Sequence, residues 1–156
     1  MKGHPEIINA LNEMLKAELA GINQYILHGE MCEDWGFEKL HEVIEKRAIE
    51  EMKHAEDLIA RILFLEGQPI VSELDKINIG STVEKIHKND WDSEKLAIDM
   101  YNGYVALASK LGDNGSKVLI ESILADEEDH IDWIESQIGM IGQMGLQNYL
   151  AEQARD

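Results

Sequence analysis

The sequence predicts an all-α bundle of four long helices, with a long crossover between the second and third and a short fifth helix at the C-terminus. Three observations lead there. Apolar residues recur at alternating steps of three and four along four stretches, which keeps each set on one helical face. The 156-residue chain has only two prolines and much Leu, Ile, Ala, Glu and Lys, a composition that favours helices. Residues 67–81 break this rhythm, with Gly67, Pro69 and Gly80 and no helical period.

The elements follow in order. Pro5 suits the first position of a helix, and the first helix is expected to run to about Glu33, where Asp34-Trp35-Gly36 breaks it. The second runs to about Leu65, with Gly67 just past its end and Pro69 beyond. A connection as long as 67–81 is uncommon in a compact domain without a reason. Crossing a bundle from end to end is one, since ~15 extended residues reach about 50 Å. The third helix is expected from Ser81 or Thr82 to Leu111, ending at Gly112. Asp113 or Asn114 can cap the fourth, which runs to about Gln143 and is loosened near its end by Gly139, Gly142 and Gly145. Leu146 to Ala154 forms the short fifth helix. The whole of 1–156 is read as one domain.

Composition excludes several functions. The formal net charge is −17, which leaves no basic face for a phosphate backbone, so nucleic acid is not an expected partner. An acidic surface instead concentrates cations, although charge of this kind also serves solubility. Cys32 is the only cysteine. It rules out an internal disulfide, a Cys-x-x-Cys redox pair and a thiolate zinc site. No stretch approaches the ~20 apolar residues of a membrane span, and the N-terminus lacks a signal-peptide pattern. The expected location is the cytoplasm.

Four seams expose the anomaly that carries the chemistry. They read Ile8, Leu11, Leu15, Glu18, Ile22, Tyr25 in the first helix and Leu40, Ile44, Arg47, Glu51, His54, Leu58 in the second. They continue as His87, Trp91, Glu94, Ile98, Tyr101, Val105 and as Ile120, Ile123, Glu127, His130, Ile134, Gln137, Ile141. Glu18, Glu51, Glu94 and Glu127 thus sit on apolar seams, with His54 and His130 three residues after the second and fourth. Burying an isolated carboxylate costs several kcal/mol, and Arg47 is a single cation. Two divalent metal ions would balance four carboxylates, and His would complete their coordination. The levels agree: Glu18 and Glu51 lie about 21–23 Å from the first helix–helix turn, and Glu94 and Glu127 about 21–26 Å from the other. Two ions about 3.5–4 Å apart are expected there. Mixed oxygen and nitrogen ligands suit iron or manganese, and also zinc. One Glu-x-x-His is weak, since charged helices produce it by chance. Two of them with matching single Glu residues form the ligand pattern already described for ferritin-like carboxylate proteins.

The chain resembles the bacterioferritin family along essentially its whole length. The likeness rests on Met1-Lys2-Gly3, Asn23-Gln24-Tyr25, Glu50-Glu51-Met52-Lys53-His54-Ala55, Arg61-Ile62-Leu63-Phe64-Leu65-Glu66-Gly67, Asp126-Glu127-Glu128-Asp129-His130-Ile131-Asp132-Trp133 and Gly145-Leu146-Gln147-Asn148-Tyr149-Leu150. The resemblance implies a ferritin-like four-helix bundle, ferroxidase activity on Fe(II) with O2 or H2O2, and storage of ferric mineral in a shell of twenty-four subunits. It implies two Fe ions per subunit: Glu18 and His54 on one, Glu94 and His130 on the other, and Glu51 and Glu127 bridging. Tyr25 would donate a hydrogen bond or a transient electron. It also implies haem b, one per two subunits, held by Met52 at two-fold dimers, with a ferredoxin-type reductant as partner. The chain departs from the pattern at one place. Some members carry a further iron site on the cavity face, built on a His and an Asp near the start of the second-helix motif. Lys46 and Glu50 stand there, and a protonated lysine cannot ligate iron, so another route into the cavity is expected.

His4, His28, His41 and His87 lack a comparable constellation and are read as surface or packing residues. Cys32 is read as structural, and Trp35, Trp91 and Trp133 as packing or interface residues. Competing readings of the same ligands are a haem-free ferritin, a di-iron peroxidase or oxygenase, and a scaffold with an ionic core. Haem absorption separates the first, and metal content the last.

Overall fold

The computed structural model describes residues 1–154. Residues 155 and 156, the end of the expected 1–156 domain, lie outside the described residues. Among the described residues five helices occur: α1 (Pro5–Asp34), α2 (Glu38–Phe64), α3 (Val83–Lys110), α4 (Asn114–Met144) and α5 (Leu146–Gln153). The expected ends fall within a residue or two of these. Thr82 caps α3 by accepting from the Lys85 amide, and the Asp113 carboxylate caps α4 by accepting from that of Ser116. Both satisfy amides that the first turn leaves without partners.

Two expectations about glycines change. Gly139 and Gly142 stay inside α4, and only Gly145, at φ 83°, ends it. After α2 the left-handed residue is Glu66, at φ 63°, not Gly67. Gly67 is there for closeness, because a Cβ on it would lie 2.7 Å from Ile8.

α1 packs chiefly on α2 and α3 on α4, with α1 meeting α3 and α2 meeting α4. Two apolar clusters fix the directions. One gathers Ile7, Leu11 and Leu15 of α1, Leu58 and Ile62 of α2, Tyr101 and Ala108 of α3, and Ile120 and Ile123 of α4. The other gathers Tyr25 and Cys32, Leu40 and Ile44, Val83 and Ile86, with Tyr149 of α5 and, at its margin, Trp133. So α1 and α4 run one way, and α2 and α3 the other. Residues 65–82 therefore cross the length of the bundle. They lie along α1, where Asn12 pairs with Gln68 and Ile70, Lys16 with Asp75, Gln24 with Asn78 and His28 with Gly80.

Candidate metal centre

On α1, α2 and α3 a buried glutamate, Glu18, Glu51 or Glu94, lies between the buried residues of the two apolar clusters, and on α4 buried Glu127 lies between Ile123 of the first and Trp133 at the margin of the second. All four are at most 3 % exposed, and His54 and His130 are buried with them. The ligand atoms form two groups, Glu18, Glu51, His54 and Glu127, and Glu51, Glu94, Glu127 and His130, each with its atoms within 4.8 Å of one another. Glu51 and Glu127 belong to both. All six expected ligands are thus brought together at mid-bundle.

The unpartnered atoms point to what the site holds. One oxygen each of Glu18, Glu51, Glu94 and Glu127, and Nδ1 of both His54 and His130, are buried without a hydrogen bond. Native proteins rarely leave such atoms unmatched, and six converging on one space suit cations. Four of the six are held by their other atom. Tyr25 donates to Glu94 Oε1 at 2.5 Å, and Tyr101 to Glu18 Oε1 at 3.0 Å. Nε2 of His54 donates to Asp126 at 2.7 Å, and Nε2 of His130 to Glu50 at 2.5 Å. Each imidazole is held from behind while Nδ1 faces the site, the usual support for a metal-ligating histidine.

Without cations, protons balance the charge. Burial, then repulsion from Glu127, pushes Glu18 up to about 8. Burial and Glu127 also hold Glu94 well above the usual carboxylate range. Glu127 goes the other way: burial opposes its charge, but the close approach of Glu94, His130 and His54 outweighs that and lowers it. Burial would keep both histidines neutral, yet the carboxylates of Glu127 and its neighbours, 3.2–3.6 Å from Nδ1, raise each to about 11. Metal binding at such a site must release protons. Burial, reinforced by Glu94 for Tyr25 and by Glu18 for Tyr101, keeps both phenols protonated as donors.

A cavity of about 60 Å³ reaches Glu51, Glu94 and Glu127 between α1, α3 and the crossover, and Asp75 and Lys76 help line it. On the α2–α4 side a larger one, about 300 Å³, is lined by Lys46, Glu50, Asp126, Asp129 and His130. Glu50, at the cavity-face position, is engaged with His130. Arg47 does not neutralise the cluster. It pairs with buried Asp90 at 3.1 Å and lies over the rings of Tyr25 and Trp133. Asp90 also accepts from Gln24 and from His28, whose Nε2 accepts the Gly80 amide. Met52 stands apart from the metal groups and is 45 % exposed, on the outer side with Ile26 and Ile49. Leu19, the residue after Glu18, is partly buried and packs against the core.

Tyr101 and Asp126 are residues that sequence reasoning missed as members of the site, and Glu50 is one that it placed only on the cavity face. A signal for them exists. Glu18, Tyr25, Glu51 and His54 recur at one constant interval as Glu94, Tyr101, Glu127 and His130, and Glu50 recurs as Asp126. The tyrosine that matters on α1 thus has a counterpart on α3.

Comparison with known proteins agrees with this geometry. A model of the ferritin-like domain matches residues 8–144. A bacterial ferritin of Synechocystis is 43 % identical over 154 residues, covering 98 % of this chain and 99 % of its own. A bacterial ferritin of Pseudomonas aeruginosa matches to the same degree. A bacterioferritin of Brucella melitensis is 40 % identical over 149 residues, covering 96 % of this chain and 92 % of its own. With the domain model spanning most of the sequence and each relative matched along nearly its whole length, this chain belongs to the ferritin-like family.

Proposed function

We propose that this protein oxidises ferrous iron at a two-metal centre made by Glu18, Glu51, His54, Glu94, Glu127 and His130, and stores the ferric product inside a shell of its own copies. The observation that carries the reading is the pair of buried ligand groups sharing Glu51 and Glu127. A shared carboxylate offers one oxygen to each ion. Glu18 and His54 then complete one iron position, and Glu94 and His130 the other. Iron is the substrate. Each Fe(II) gives up one electron, and the pair reduces dioxygen to hydrogen peroxide, or hydrogen peroxide to water. The chain's part is to desolvate the ions, hold them side by side and supply fixed negative charge that favours the ferric state. Tyr25 keeps Glu94 oriented through its hydroxyl.

The exposed Ile26, Ile49 and Met52 need a partner surface. A second subunit supplies it, in two-fold dimers that build a shell of twenty-four. The Met52 thioether would hold haem b, one per dimer, because it is exposed outside the bundle with Ile26 and Ile49. Haem held there would supply one-electron chemistry, so that a ferredoxin-type donor could reduce and release stored iron.

Stopped-flow oxidation of anaerobically loaded Fe(II) tests the centre. Glu51→Ala and Glu127→Ala should each remove the fast phase. Unchanged initial rates in both would overturn the bridging roles. Light scattering tests the shell, and a monodisperse monomer at neutral pH would refute it.

A further inference from the structure

We propose that Tyr101 is a positioning residue that holds Glu18 as a one-oxygen ligand, so that the metal position of Glu18 and His54 keeps an open place for the oxidant. The inference rests on the two-metal reading above and extends it to a residue which that reading does not use.

The geometry is specific. Tyr101 lies on α3, two helical turns past Glu94, and is 1 % exposed. Its hydroxyl crosses to α1 and donates to Oε1 of Glu18 at 3.0 Å. Oε2 of Glu18 is the atom left buried and unpartnered, 3.5 Å from Nδ1 of His54. The carboxylate is therefore divided: one oxygen is committed to the phenol, and one faces the site. Tyr25 likewise takes Oε1 of Glu94 and leaves Oε2 unpartnered, although there Oε1 is the oxygen 3.5 Å from Nδ1 of His130. A carboxylate free to turn can close on a metal with both oxygens and fill a coordination position. A buried phenol bound to one oxygen opposes that rotation, because turning would leave two buried polar atoms without partners.

The consequence is a division of labour. Loss of the Tyr101 hydroxyl should alter only the Glu18–His54 position, and loss of the Tyr25 hydroxyl only the Glu94–His130 position. The phenyl ring stays in Tyr101→Phe, so packing in the apolar cluster is kept.

Co(II), whose visible bands weaken as coordination number rises, is a suitable probe. Wild type, Tyr101→Phe, Glu18→Gln and the double variant would be titrated under anaerobic conditions, with metal-free melting as the control for folding. Wild type should bind two Co(II) per subunit. Tyr101→Phe should shift one equivalent by about tenfold, the worth of one hydrogen bond to a charged group, and dim that equivalent's bands. In the Glu18→Gln background the same change should do nothing more. An unchanged titration, an equal shift in both equivalents, or a full effect persisting without the Glu18 carboxylate would each overturn the inference. Failure of wild type to bind two Co(II) would instead sink the two-metal reading. A crystal structure of Co(II)-loaded wild type gives a test free of variants: Glu18 should touch metal through Oε2 alone, and contact through both oxygens would refute the role given to Tyr101.

Discussion

Glu50 on α2 and His130 on α4 are joined by a 2.5 Å hydrogen bond across the bundle, with Nε2 donating to the carboxylate. Asp126 on α4 holds His54 on α2 in the reciprocal way. Each residue that precedes a Glu-x-x-His motif thus supports the histidine of the other motif. Removing such a support usually costs 10–100-fold in metal affinity. Glu50→Ala should weaken the metal position of His130, and Asp126→Ala that of His54, each by about this factor. Calorimetric titration with Zn(II) reads both, and unaltered affinities would show the contacts to be incidental.

Asp90 carries a second buried ionic network, at no measurable exposure, and accepts from Gln24, His28 and Arg47. Breaking a buried pair from one side strands the other charge and costs about 3–5 kcal/mol. Asp90→Ala should lower stability by about this amount, with Arg47 left inside without its partner. Chemical denaturation at matched subunit concentration measures it. A loss below about 1 kcal/mol, the range of an exposed pair, would contradict the network's importance.

His87 makes folding sensitive to acid. Its ring is buried between Trp133 and Tyr149, and burial lowers it from 6.5 to about 4. Between those values the unfolded chain binds a proton that the folded chain refuses, so stability falls as pH falls. The whole effect is about 3 kcal/mol. His87→Gln can still donate to Tyr149 but does not titrate there. Its denaturation midpoint should drop less between pH 7 and pH 4.5 than that of the parent. Equal drops would assign the acid sensitivity elsewhere.

Met52→Leu should abolish haem binding, since leucine keeps the bulk and loses the sulfur. Ferrous oxidation should continue at nearly the parental rate, because Met52 lies outside both ligand groups. The visible spectrum of protein purified with a haem precursor decides it. An undiminished haem band in the variant would remove Met52 from the axial position.

Much of this was legible in the sequence because burial imposes periodicity. Glu18 and Glu94 interrupt apolar seams at the levels of Glu51 and Glu127, and no cheaper explanation exists for four such interruptions. The six ligands follow from that. Asp90, Gln24 and His28 were not legible as a network, because a buried polar residue with good partners looks in sequence like an exposed one. His28 read as a packing residue, and only the fold brings Gly80 and Asp90 to its two nitrogens. Glu50 and Asp126 were hidden for a related reason. Both sit among other acidic residues, and nothing local distinguishes a carboxylate that reaches across the bundle from one in water.

The crossover has a consequence for how the protein breathes. Its amides at Asn78 and Gly80 are donated to Gln24 and His28, whose side chains also bind Asp90. Gly80 lies so close to the start of α3 that a Cβ would come within 2.4 Å of the Ile86 nitrogen. Asn78 is itself exposed, but the Gly80 amide is buried and can meet solvent only if His28 and the ionic network behind it open. The Gly80 amide should therefore exchange hydrogen for deuterium as slowly as the helix interiors, while the exposed stretch at Val71 to Leu74 exchanges early. A connection without secondary structure thus belongs at one end to the most slowly opening part of the molecule.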